Sequence, residues 1–123
     1  MPPFLEYRRN ENEKSTILPD EERKMCAMHA LMNANQIIEN GGEAKIIFEG
    51  KSVKHPQILD QEGNPLYKKL LENKTIVGVC KACSKMLEVY EINKNLGLYF
   101  LKDMNGHAGV IKYLDEGYQV IEF

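Results

Sequence analysis

The chain has 123 residues, the size of one domain, with 43% apolar and 28% charged residues and a formal net charge of −2. It lacks the basic stripe that phosphate contacts need, so no nucleic-acid partner is expected. No apolar run approaches the roughly 20 residues that cross a bilayer, so no membrane partner is expected either.

Met1-Pro2-Pro3-Phe4 runs into charged residues instead of an apolar core, unlike a signal peptide, so the expected localisation is cytoplasmic. Residues 1 to 14 are polar and charged and read as a flexible N-terminal arm, leaving residues 15 to 123 as a single domain. Ser15 to Leu18 has strand-forming residues but is short and stops at Pro19. Asp20 has the chemistry of a helix N-cap, and Glu21 and Glu22 suit the positive end of the helix dipole. Met25, Met28, Leu31, Met32 and Ile38 recur at helical spacing as an apolar face, and Gly41-Gly42 ends that helix.

A β-rich run follows from Ala44 to Gly50. Ser52 to Gly63 is irregular and broken at His55-Pro56. Asn64-Pro65 caps a helix through Leu66, Leu70 and Leu71. Lys74 to Cys80 is the strongest strand, apolar almost throughout, as expected of a central strand covered on both faces. Ser84 to Leu96 reads as one helix, Leu98 to Leu101 as a short strand, Gly109 to Glu116 as a helix and Tyr118 to Phe123 as a last strand. Strands alternating with helices give parallel pairs joined by right-handed crossovers. The expected fold class is α/β, a three-layer α/β/α sandwich on a mostly parallel sheet.

In such sheets ligands bind at the carboxyl ends of the strands. Cys80 ends the strongest strand, and Cys83 opens the next helix, where free N–H groups and the Lys81 cation favour a thiolate. The thiolate is both the nucleophile of sulfur exchange and the metal-binding form. Cys26 and His29 share one face of the first helix, continued by Asn33 and Gln36, a polar stripe that also reads as plain solvated surface. Taken together, C-x-x-H and C-x-x-C make a Cys26, His29, Cys80, Cys83 set with tetrahedral zinc character, although the gap between the pairs is long for a small zinc module. His107 follows a strand in Asp103-Met104-Asn105-Gly106-His107, placed to act as acid, base or anion contact or simply to face solvent. No phosphate-binding glycine motif is present, and no organic cofactor is implied.

Met25-Cys26-Ala27-Met28-His29, Lys45 to Gly50, Val79-Cys80-Lys81-Ala82-Cys83-Ser84, Asp103 to His107 and Gly117 to Ile121 resemble, in order and spacing, the DsrE-like (DsrE/DsrF/YchN-like) family across residues 24 to 123. The resemblance implies a five-stranded sheet and a sulfur-relay role. It also implies homo- or hetero-oligomers and a partner protein that donates or accepts sulfur. Relatives carry sulfane sulfur as a persulfide on a strand-ending cysteine, which matches Cys80. The chain departs from that pattern in the weak stretch Glu13 to Pro19, where relatives have a strong first strand, and in Cys83, absent from the simplest carriers. The leading expectation is therefore a sulfur-relay or thiol-redox protein, a candidate sulfurtransferase or sulfur carrier. Cys80 would accept sulfur and Cys83 act as second thiol, with Cys26, His29, Lys81 and His107 lining the site. Its alternatives are a zinc-binding protein and a non-enzymatic interaction subunit.

Overall fold

A computed structural model describes residues 13–123. The expected arm lies outside these residues except for Glu13 and Lys14. Glu13 accepts a bond from the Glu43 amide, and Lys14 opens the first strand. The strands are β1 (Lys14–Leu18), β2 (Glu43–Phe48), β3 (Ile76–Cys80), β4 (Phe100–Leu101) and β5 (Gln119–Glu122). The helices are α1 (Lys24–Glu39), α2 (His55–Gln61), α3 (Pro65–Glu72), α4 (Lys81–Met86), α5 (Tyr90–Asn95) and α6 (Ile111–Asp115), with a 3-10 turn at Gly50–Lys54.

All five strands are parallel, in the order β4-β3-β2-β1-β5. Three successive crossovers run in one direction and the last returns past β1. Right-handed connections therefore put α1 to α5 on one face and α6 on the other. The fold is the three-layer α/β/α sandwich that the alternation predicts, with a thin third layer.

β2 is the middle strand, not β3, which lies between it and the two-residue edge strand β4. Ile46, Ile47 and Phe48 of β2 are fully buried. The weak β1 is internal as well, since its neighbours β2 and β5 supply hydrogen-bond partners on both sides. Its polar residues Ser15 and Thr16 are fully buried. Gly78 is needed where β3 passes β4, because a Cβ there would strike the Tyr99 carbonyl.

Several local expectations are corrected. Asp20 does not cap α1, which starts at Lys24 with Arg23 as an N-cap lacking a side-chain bond. The Asp20 backbone is held elsewhere, its amide by the Phe123 carbonyl (3.1 Å) and its carbonyl by the Lys51 amide (3.0 Å). The buried face of α1 is Ala27, Ala30, Leu31 and Ala34, whereas Met25 is 69% exposed and Met32 47%. Small residues let α1 sit close on the sheet and turn Met25 and Met32 outward, while Met28 packs at the core margin. His55-Pro56 begins α2 instead of breaking the chain, because a proline in the first turn gives up an N–H that has no intrahelical partner. The long helix expected from Ser84 splits at Glu88, which has φ 60°. A buried polar link fixes that break, with Asn93 Nδ2 donating to the Val53 carbonyl and Ser84 Oγ. Asn64 caps α3 as expected, Oδ1 accepting the Tyr67 amide at 2.9 Å.

Candidate functional site

The Cys80-to-Cys83 turn straddles the junction of β3 and α4. Cys80 is at once the last strand residue and the N-cap of α4, and its Sγ accepts the Cys83 amide at 3.5 Å. Sulfur thus takes the place that Ser, Thr, Asp or Asn oxygen usually fills. Cys80 is 1% exposed, while Lys81, Ala82 and Cys83 are half-buried.

A second segment closes over this turn. After β4 the chain reverses through Asn105 (φ 52°) and Gly106 (φ 91°), the two positive values of a type I′ turn. Met104 and His107 exchange both backbone bonds at 2.9 Å. The Gly106 carbonyl accepts the Ala82 amide at 2.9 Å, and the Ala108 amide donates to Cys80 Sγ at 3.4 Å. The half-buried His107 is thereby held with Nδ1 3.6 Å from Cys80 Sγ and 3.9 Å from Cys83 Sγ.

The two sulfurs differ electrostatically. Two backbone N–H groups and the Cys83 thiol are directed at Cys80 Sγ, a set of donors suited to negative charge on that sulfur. The Cys83 thiol is pushed up to about 11, first by burial, then by its hydrogen bond to Cys80. A bond from the Gly50 amide opposes this, and the charges of Cys80 and Glu49 add to it. The Glu49 carboxyl is itself raised, by burial and by the neighbouring charges of Asp20 and Glu122. At neutral pH Cys83 is therefore a protonated thiol beside an acceptor sulfur.

The expected residues divide cleanly. Cys80, Cys83 and His107 come together, with ligand atoms all within 4.8 Å of one another. Cys26 and His29 do not belong to this cluster, so the four-residue set expected from the two C-x-x pairs is not assembled. His29 is exposed on α1 and lines a shallow surface groove with Met25, Met28 and Met32, and Cys26 lies half-buried in the same first turns. Lys81 faces a separate groove shared with Lys85 and Lys102. Glu49, Gly50 and Ala108 are not among the site residues expected from the sequence. The Glu-Gly pair that ends β2 is their one local signal.

The cluster suits a soft metal ion as three of four ligands. Zinc–sulfur and zinc–nitrogen bonds of about 2.3 and 2.0 Å imply a sulfur–nitrogen edge of about 3.5 Å, near both observed separations. Among the described residues no helix is long and apolar enough to cross a membrane.

A protein of Methanocaldococcus jannaschii, described as uncharacterized protein MJ0733, is 41% identical over 95 residues, covering 77% of this chain and 78% of its own length. The chain belongs to the family of this archaeal protein. No protein-family model and no solved structure matches the chain.

Proposed function

We propose that the chain carries sulfane sulfur on Cys80, with Cys83 as the second thiol of a sulfur-relay centre. The convergence of donors on Cys80 Sγ carries this reading: the Cys83 amide, the Ala108 amide and the Cys83 thiol all address one sulfur atom. Cys80 attacks the terminal sulfur of a donor persulfide. The donor sulfur–sulfur bond breaks, the donor leaves as its thiolate, and Cys80 holds the persulfide. Cys80 is 1% exposed, and the half-buried Cys83 and His107 lie next to its sulfur. Held as a thiol, Cys83 leaves that persulfide intact at neutral pH; once deprotonated it attacks Cys80 Sγ, forming the Cys80–Cys83 disulfide and releasing hydrosulfide, after which a dithiol reductant must restore the pair.

The DsrE-like likeness of these same segments supports sulfur transfer and extends the proposal to a partner protein and a homo-oligomer. The three free cysteines fit a reducing cytoplasm. The test is intact-mass measurement after incubation with an organic persulfide. Wild type and Cys83→Ser should gain one sulfur atom and Cys80→Ser none; loading that survives Cys80→Ser contradicts the assignment.

A second reading is favoured by the sulfur–nitrogen spacing, in which Cys80, Cys83 and His107 hold zinc and leave the fourth position open. Stoichiometric zinc in protein purified without chelator, lost on His107→Ala, would favour it over the relay.

A further inference from the structure

Beside the thiol centre lies a groove of about 310 Å³ lined by Lys81, Lys85, Lys102, Ala82 and Gly106. Lys81 and Lys85 stand four residues apart on α4 and so share one helix face, while Lys102 follows β4. None of the three meets a carboxylate within ion-pair distance among the described residues, although Lys85 lies 5.0 Å from the centre of the Tyr90 ring. Three like charges lining one groove without an ion-pair partner repel one another, and a bound anion relieves that repulsion.

The floor of the groove ties it to the centre. Ala82 lies between the two cysteines and Gly106 precedes His107, and the Ala82 amide to Gly106 carbonyl bond joins them. Acidic groups outside this groove act on Cys83 and its surroundings, Glu49 on Cys83 and Asp20 and Glu122 on Glu49.

We propose that the Lys81–Lys85–Lys102 groove is an anion subsite that seats the oxyanion group of a small sulfane-sulfur donor, with thiosulfate as the representative of the class. The inference rests on the sulfur-carrier reading above and adds its substrate class. In the step implied, the Cys80 thiolate attacks the sulfane sulfur of thiosulfate. A Cys80 sulfur–sulfur bond forms, the thiosulfate sulfur–sulfur bond breaks, and sulfite leaves with the electron pair. Three negative charges stand on each side of the reaction, and no oxidant or reductant is consumed. The lysines hold the leaving sulfite, the group on which charge gathers as the bond breaks.

The test compares two donors on the full chain, thiosulfate and the persulfide of cysteamine, a cationic thiol. Wild type is set beside a Lys85→Gln/Lys102→Gln variant, which leaves Lys81 next to the nucleophile in place, and sulfur gain is read by intact mass. The variant should load from thiosulfate at least about tenfold more slowly, with wild-type loading also falling as salt rises, and should load from cysteamine persulfide at the wild-type rate. The unchanged second rate also shows that the variant is folded. Equal thiosulfate rates in wild type and variant overturn the subsite while leaving the carrier standing. Loading from cysteamine persulfide alone restricts the donor to thiol persulfides and overturns it too. Loading from neither donor overturns the carrier reading and the subsite with it.

Discussion

At the scale of single residues, the two cysteines of one turn are made unequal by what surrounds them. Cys83 is held as a thiol because burial and its bond to Cys80 disfavour its anion, and because Glu49 adds negative charge nearby. Only the thiolate is alkylated, so Cys83 should react slowly with iodoacetamide at neutral pH. Its rate should rise about tenfold per pH unit until the pH nears 11. Glu49→Gln removes one of the charges that oppose ionisation. It should move the Cys83 profile to lower pH and speed alkylation near neutrality, read by peptide-resolved labelling. An unchanged profile would mean that Glu49 does not act on Cys83. The sequence pointed to these cysteines through their place at a strand end. Their inequality was hidden, because Glu49, Gly50 and Ala108 approach from two other segments, 28 positions from Cys80 in Ala108's case and on the far side of a crossover in Glu49's.

At the scale of elements, the site depends on a turn that few residues can make. Gly106 sits at φ 91° and Asn105 at φ 52°, and this turn delivers both the Gly106 carbonyl to Ala82 and His107 to the sulfurs. Gly106→Val forces a β-branched residue into left-handed backbone. It should cost about 1–3 kcal/mol in urea unfolding and slow sulfur loading of Cys80. Stability and loading equal to wild type would show that the turn does not position the site. Strand β1 makes the opposite case. Thr16 is fully buried, and its Oγ1 has no partner among the described residues. Thr16→Val removes that orphan hydroxyl and should leave stability equal or raise it by about 1 kcal/mol. A marked loss would reveal a partner for the hydroxyl. Both elements explain where the sequence misled. Of the expected face Met25, Met28, Leu31, Met32 and Ile38, Leu31 is buried and Met28 and Ile38 pack against the core, yet Met25 and Met32 are exposed and the closest packing of α1 uses alanines, whose small size hydrophobic periodicity undervalues. β1 looked too weak for an internal strand, because a strand flanked on both sides draws its order from its neighbours.

At the scale of the whole molecule, strand order decides which residues meet. The alternation of strands and helices gave the parallel sandwich directly, since helical crossovers leave few other arrangements. It did not give the order β4-β3-β2-β1-β5, in which β1 lies two places from β3. That separation is why α1, and with it Cys26 and His29, stays out of the Cys80 cluster, while β4, next to β3, brings His107 in. The same adjacency needs Gly78, where any side chain meets the Tyr99 backbone. Gly78→Ala should loosen the β3–β4 contact and cost about 2 kcal/mol or more in urea unfolding, with loss of sulfur loading as His107 is displaced. Wild-type stability in that variant would contradict the close pairing of the two strands.

The central claim is that one particular sulfur, Cys80 Sγ, carries the sulfane sulfur. The most direct measurement loads wild-type protein with an organic persulfide, traps the product with an alkylating agent, and maps the added sulfur by peptide mass spectrometry after digestion that separates Cys80 from Cys83. The account predicts the alkylated persulfide on Cys80, with Cys83 carrying at most the alkyl group. A persulfide found on Cys83 alone, with Cys80 unmodified, would contradict it.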